Sequence, residues 1–164
     1  MVTTSQECTS PRSASSFHGR HFREGDVGVS AQELIALCIS DYVVDRTRLK
    51  SQVAPEETWL EVIRLQPQLV RAVLLNKRLP EAVLAAIAAH QEPTIRSLVA
   101  MKRQASRETL SLLAHDQDEG VRALVARNPS LPSEQRDQLL SDPSGVVREA
   151  AREAAGRDLR TKHP

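Results

Sequence analysis

Apolar residues recur along this chain at fixed distances from a series of arginines. The arginines follow one another at intervals of 25, 25, 26 and 26 residues: Arg46, Arg71, Arg96, Arg122 and Arg148. Twelve residues earlier, four of these units carry a large apolar side chain: Leu34, Trp59, Leu84 and Leu110. Nine residues before the arginines stand Leu37, Val62, Ile87, Leu113 and Leu139. This spacing places an apolar stripe on one face of a helix in every unit.

A second stripe, three residues after each arginine, predicts another helix: Leu49, Leu74, Val99, Val125 and Ala151. Each unit therefore contains a helix that carries the arginine, a turn, a second helix and another turn. A period of roughly 20–50 residues is typical of solenoids, in which each repeat buries its apolar face against its neighbours. We predict an all-α solenoid of about five two-helix repeats of 25–26 residues.

The turn residues support this division. Proline or serine stands at equivalent places before the second helices: Pro55, Pro80, Ser106 and Pro132. Proline is tolerated at a helix start because its missing N–H would have no helical partner there. Asn76 and Asn128 each lie four residues before a proline, where a residue in the left-handed conformation could end the first helix.

The helical-repeat domain is predicted to span residues 29–158. It begins near Ser30, which has the spacing of a capping box with Glu33. Residues 1–28 lack any helical period and are predicted to be a disordered tail, in which residues 17–22 could serve as a docking motif. Residues 159–164 are expected to be frayed. In the last unit Arg136 replaces the leucine of the first stripe, which predicts a capping repeat with one side in water.

The stretch 121–142 carries the pattern Val-Arg-x-x-Val-Ala-x-Asn-Pro-x-x-Pro, followed by a Leu-bearing helix and a turn with Asp142. This pattern resembles the bacterial leucine-rich repeat variant family, which belongs with the HEAT-like α-solenoids. The resemblance implies short α-helices that alternate with 3₁₀ or short α-helices in a right-handed superhelix. One member of that family carries an iron–sulfur cluster. Cys8 and Cys38 cannot form a ligand set for a cluster, so no cofactor is expected here.

Composition narrows the class of protein. The 22 basic and 21 acidic side chains nearly balance, whereas a domain that mainly grips nucleic-acid backbone is usually clearly basic. Apolar runs are too short to span a bilayer, and residues 1–20 lack the apolar core of a signal peptide. Two dissimilar cysteines make no disulfide framework. We therefore expect a cytoplasmic protein that does not enter membranes.

The arginine series has two interpretations. Arginines in register could bind phosphates. Alternatively, each arginine follows an acidic or polar turn and could join successive repeats through a carboxylate or carbonyl, which is the interpretation we favour. The acidic residues in these turns are Asp41, Glu92, Asp118 and Asp142.

Cationic residues gather in the turns that follow the arginine-bearing helices, and stacking would align these turns at intervals of about 10 Å. We call this surface the basic edge: Lys77, Arg78, Lys102, Arg103 and Arg127. These charges could merely complement the helix dipoles, since cations are favourable at helix C-termini. They could instead face a binding partner, and they are the candidate site residues of this sequence.

The sequence contains no Gly-rich phosphate loop, no Cys/His nucleophile pair and no metal-ligand spacing. We therefore predict that the chain is not an enzyme and holds no metal. The predicted function is a protein-binding scaffold or an accessory or regulatory module that uses the solenoid surface. The alternative is nucleic-acid binding through a basic face, similar to that of the helical-repeat DNA glycosylases. A hydrolase or lyase on the same scaffold is a third interpretation, without residues to support it.

Overall fold

The computed structural model describes the backbone of residues 28–162 and the side chains as far as residue 157. Within that range every regular element is helical: α1 (Ala31–Ile39), α2 (Val43–Ser51), α3 (Glu56–Leu65), a 3₁₀ turn (Pro67–Leu69), α4 (Val70–Val73), α5 (Glu81–Ala88), α6 (Pro93–Ala100), α7 (Arg107–Leu113), α8 (Glu119–Arg127), α9 (Ser133–Leu139) and α10 (Gly145–Lys162). The all-α class is confirmed. The tail expected at residues 1–28 lies, except for Gly28, outside the described residues.

The helices alternate between two rows. The arginine-bearing helices α2, α4, α6, α8 and α10 form row A, and α1, α3, α5, α7 and α9 form row B. Within row B, α1 packs on α3, α3 on α5 and α5 on α7, and within row A, α6 packs on α8 and α8 on α10. Contacts of α5 with α6 and of α9 with α10 join the rows. Each helix pair thus covers the next one, as in an α-solenoid.

The core contains the side chains that the periodicity selects. The residues twelve positions before the arginines are fully buried: Leu34, Trp59, Leu84 and Leu110. Their neighbours in the two stripes, such as Val62 and Val99, are buried as well. The residue just before each proline or serine of the turns is a further buried position that the sequence analysis did not select: Ala54, Leu79, Ala105 and Leu131.

The helix starts follow the predicted signals. Ser30 and Glu33 form a capping box, in which each side chain accepts a hydrogen bond from the other residue's N–H. Pro55, Pro80 and Pro132 stand immediately before α3, α5 and α9. Because an N-cap residue needs no N–H inside the helix, proline costs little at these places.

The prediction for Asn76 and Asn128 is wrong. No residue has a positive φ in the part of the chain that the structure describes, and Asn128 has φ of −71°. Both side chains are instead buried and reach the preceding helix pair. The Nδ2 of Asn76 donates to the carbonyls of Leu49 (2.6 Å) and Gln52 (2.8 Å). The Nδ2 of Asn128 donates to the Ala100 carbonyl at 2.6 Å.

Arg136 also differs from its prediction, because it is buried, with 4% of its surface exposed. Its guanidinium donates to the carbonyls of Ala126 (3.2 Å), Asn128 (3.0 Å) and Leu131 (3.1 Å). The residue that corresponds to Asn128 in the next unit is Ala154, which has no side-chain donor. Arg136 therefore supplies from row B the hydrogen bonds that an asparagine supplies elsewhere from row A.

The absence of a turn-forming residue at position 154 has a second consequence. The last helix of row A does not stop there, and α10 continues to Lys162. Its buried side carries alanines such as Ala150 and Ala151, whereas Glu149, Arg152 and Glu153 are exposed. The water-exposed side predicted for a capping repeat is thus on α10, not at Arg136.

The buried stripe yields a test of the assigned register. Leu110→Ala should lower the free energy of unfolding by about 2–5 kcal/mol, because burial is lost and a cavity remains. Leu112→Ala on the same helix is the matched control: Leu112 is 62% exposed, so its loss should cost less than about 0.5 kcal/mol. Chemical denaturation measures both values. Equal losses in the two variants would contradict the register.

Candidate functional site

The turns that follow the row A helices lie one above another. The backbone N–H of Lys77 donates to the Lys50 carbonyl at 2.9 Å. The Gln104 side chain donates to the Lys77 carbonyl, and the hydroxyl of Ser130 donates to the Arg103 carbonyl at 2.9 Å. Each turn is thus bonded directly to the preceding one. The structure brings the residues of the basic edge onto one side of the stack.

Charges are segregated between the two sets of turns. Segments 48–55, 75–80, 101–106 and 127–132, which follow the row A helices, contain no aspartate or glutamate. The turns that follow the row B helices, at 89–92, 114–118 and 140–144, contain no lysine or arginine. A chain with nearly balanced charge therefore presents a cationic side and an anionic side.

Three residues of the basic edge are exposed and available. Lys77, Arg78 and Arg103 are each exposed, and none of them forms an ion pair with a residue that the structure describes. Because no carboxylate neutralises them, their charges add in the field above the stacked turns.

Lys102 is not exposed, although its place on the basic edge predicts a surface position. It is half-buried, and its ammonium donates to the carbonyls of Leu74 and, at 2.8 Å, Asn76. Burial, with a smaller contribution from Lys77, lowers the pKa of Lys102 below its usual value. Lys102 therefore fills in its own helix pair the place that Asn76 and Asn128 fill in theirs.

Arg127 lies between these two cases. Its guanidinium forms an ion pair with Glu153 at 3.2 Å, and both side chains are nearly half exposed. Exposed pairs of this kind contribute little to stability, so a partner's carboxylate could replace Glu153 at small cost. Because of this pair, the series of unpaired cations on the basic edge ends before Arg127.

On the opposite edge the arginines join successive helix pairs, as we favoured over phosphate binding. Arg96 holds Asp116 with two hydrogen bonds, Nε to Oδ2 at 2.6 Å and Nη2 to Oδ1 at 2.7 Å. Its third nitrogen, Nη1, donates to the carbonyls of His90 and Gln91. One guanidinium thus bonds to the turn before its own helix and to the corresponding turn of the next helix pair.

Arg122 repeats this arrangement with Asp142, with hydrogen bonds of 2.8 and 3.0 Å. Arg71 makes a looser contact of 3.3 Å with Glu92. Asp118, a candidate carboxylate for these joints, instead caps α8 by accepting from the N–H of Val121 at 3.0 Å. The two-pronged pairs explain why the anionic side is less available than its composition suggests.

These pairs also shift the pKa values of their carboxylates. Hydrogen bonds from Arg96 are the main reason that the pKa of Asp116 lies below its usual value, and those from Arg122 do the same for the pKa of Asp142. Only 6% of either carboxylate side chain is exposed. Both groups are therefore ionised at neutral pH and engaged in the structure.

A surface groove of about 440 Å³ lies beside the Arg96–Asp116 pair and includes both described histidines. The Nδ1 of His90 accepts from the N–H of Glu92 at 3.0 Å, and the Nδ1 of His115 lies 3.0 Å from the Ser111 carbonyl. No group of three or more His, Cys, Asp or Glu side chains that could hold a metal occurs among the described residues. The Nδ1 atom of each histidine ring thus has a partner within four residues of it along the chain.

Two remaining features concern the cysteine and the membrane. Burial raises the pKa of the Cys38 thiol to about 11, so it stays protonated and unreactive at neutral pH. Of the helices that the structure describes, none combines the length and the apolar character that crossing a bilayer requires.

Residues 119–144 match the family model for leucine rich repeat variant. This range covers α8, α9 and the turn with Asp142, and it includes the stretch 121–142 on which the resemblance rests. No curated protein and no solved structure matches the chain.

The shifted carboxylates give a test of the joints between helix pairs. The pKa of Asp142 is lower in the folded state than its unfolded value of about 3.9, so the folded state binds fewer protons there. The pair therefore stabilises the fold above that unfolded pKa, and this stability is lost as the pH falls through the folded pKa. Asp142→Asn should cost about 1.5–3 kcal/mol at pH 7.

The variant should also show a weaker loss of stability than the wild type as the pH falls below about 4. Urea denaturation at a series of pH values measures this. Asp137→Asn, which changes an exposed residue on α9, is the control and should keep the wild-type pH dependence. An Asp142→Asn curve parallel to that of the wild type would show that the pair does not stabilise the fold.

Proposed function

We propose that this leucine-rich-repeat-variant protein is a non-catalytic scaffold that binds an acidic region of a protein partner through its basic edge. The observation that carries the proposal is the position of Lys77, Arg78 and Arg103 on stacked turns without an ion pair to a described carboxylate. Such an arrangement attracts an oppositely charged surface and speeds its encounter. An accessory or regulatory role in a bacterial cytoplasm is part of this proposal.

The main rival explanation is that these charges only complement the ends of the row A helices. Carbonyls at those ends already accept hydrogen bonds from Asn76, Lys102 and Asn128. Lys77, Arg78 and Arg103 are therefore not required as side-chain partners for them. These three side chains therefore remain available to a partner.

Nucleic-acid binding is supported less well. Proteins that grip a phosphate backbone neutralise about 6–10 phosphates, and the basic edge offers three unpaired cations with the half-exposed Arg127 beside them. Single-strand and base recognition also use aromatic side chains as stacking surfaces. Trp59 is buried in the core, so of the described aromatic residues only Tyr42 is exposed.

An enzymatic function is also supported less well. The carboxylate beside the 440 Å³ groove, Asp116, is ionised and clamped by Arg96, which suits a joint better than proton transfer at neutral pH.

The proposal is tested by affinity capture on the immobilised chain, identification of the bound protein and surface plasmon resonance on the purified pair. Changing Lys77, Arg78 and Arg103 together to Ser should slow association roughly tenfold at low salt, because electrostatic steering is lost. The wild-type rate should fall towards that of the variant as salt increases.

The matched control removes three exposed arginines elsewhere: Arg64, Arg152 and Arg157. It changes the net charge equally and should retain most of the wild-type rate. Equal association rates for the wild type and the Lys77/Arg78/Arg103 variant at low salt would contradict the proposal. Tight binding of a labelled DNA duplex that weakens steeply with salt would favour the nucleic-acid alternative instead.

A further inference from the structure

An apolar groove lies on row A between α4 and α6, directly beside the basic edge. Its volume is about 270 Å³, and its lining is Arg71, Leu74, Leu75, Leu98, Met101 and Lys102. We call it the row A groove. Two of its large apolar side chains face water: Leu75 is 47% exposed and Met101 is 62% exposed.

Leu75 and Met101 occupy equivalent places in successive helix pairs. Each stands immediately before the residue that bonds to the preceding pair, Asn76 in one case and Lys102 in the other. The exposed cations Lys77 and Arg103 follow within two residues. The same short pattern, an exposed apolar residue and then exposed positive charge, is thus present twice in adjacent layers.

The row A groove has a defined end. In the next helix pair the place of Leu75 and Met101 is taken by Arg127, which forms its ion pair with Glu153. Apolar surface therefore gives way to a charged pair at this point. The same position of the repeat is therefore apolar and exposed after α4 and α6 but charged at the end of α8.

Positively charged side chains line and flank the row A groove. Arg71 and Lys102 form part of its wall, and Lys77, Arg78 and Arg103 lie on the adjacent turns. In this wall Arg71 engages the carboxylate of Glu92 at 3.3 Å. A ligand that fills this groove would lie next to several cations. Acidic groups beside its apolar part would therefore be favourable.

We propose that the row A groove receives the apolar side chains of an acidic amphipathic segment of a protein partner, with its carboxylates on the basic edge. This inference rests on the proposed function and names the chemistry of the partner. Pockets for whole small molecules usually measure about 300–1,000 Å³, so the row A groove suits anchoring side chains better. Docking of an amphipathic segment by apolar anchors is a common mode of peptide recognition.

The two parts of the surface have different kinetic roles. Cations on the exposed turns speed the encounter and make it sensitive to salt. Burial of Leu75 and Met101 against an apolar anchor slows dissociation, because separation would return that surface to water. Substitutions in the row A groove should therefore change the dissociation rate, and substitutions of the cations the association rate.

The test uses the full chain and a phage-displayed library of 16-residue peptides. Enriched peptides should combine large apolar residues with an excess of Asp and Glu. A selected peptide, synthesised with a fluorescent label, should bind the Leu75→Ser and Met101→Ser variants at least about tenfold more weakly than the wild type, measured by fluorescence polarisation. Circular dichroism should show unchanged folding, since Met101 is 62% exposed and Leu75 nearly half exposed.

Leu112→Ser is the matched control, because Leu112 is as exposed as Met101 but lies in row B. It should leave peptide affinity unchanged. A library without enriched acidic and apolar peptides, or peptides that bind all three variants equally, would overturn the inference. If the captured protein still depends on Lys77, Arg78 and Arg103 but not on Leu75 and Met101, the row A groove inference alone fails. If it depends on neither set, the proposed function fails as well.

Discussion

The carbonyl oxygens at the ends of the row A helices are the constraint on which this structure depends. A helix leaves its last carbonyls without partners in its own backbone, and a buried carbonyl without a partner is costly. In this fold those carbonyls face the next helix pair, away from water. The next pair must therefore supply donors, and it does so with chemically different side chains: Asn76, Lys102, Asn128 and Arg136.

This requirement, together with the arginine clamps, determines which surfaces remain for binding. On one edge Arg96 and Arg122 hold Asp116 and Asp142, so those carboxylates are occupied. On the other edge Lys102 is occupied by carbonyls. In the part of the chain that the structure describes, the exposed cations have no such structural role and remain free to bind a partner, as does the row A groove beside them. The functional proposals rest on side chains that do not contribute hydrogen bonds or ion pairs to the described fold.

Much of the fold could be predicted from the sequence, because a solenoid repeats its local rules. The arginine period located the helices, and the fully buried Leu84 and Leu110 follow directly from their spacing. The roles of Asn76 and Asn128 could not be predicted in the same way. Their partners lie 24–28 residues away in a preceding pair, and turn propensity alone suggests a left-handed conformation instead.

The charged residues were harder to predict, and the basic edge was predicted only in part. Lysine and arginine usually indicate a surface position, so Lys102 and Arg136 were expected in water. A signal for Lys102 was present, since it stands 26 residues before Asn128 and takes the same place in its unit. Arg136 offered no such signal, because it compensates from row B for Ala154 in row A. Leu75 and Met101 belong to neither apolar stripe, so their groove was not predicted.

Measuring the stability of Arg136→Leu tests the central claim most directly. Leucine is the residue that the first apolar stripe carries at Leu34, Leu84 and Leu110, so periodicity alone predicts a neutral or stabilising change. On our account the substitution leaves the buried carbonyls of Ala126, Asn128 and Leu131 without the Arg136 donors. Denaturation should then show a loss of at least about 2 kcal/mol. A variant as stable as the wild type, or more stable, would contradict the account.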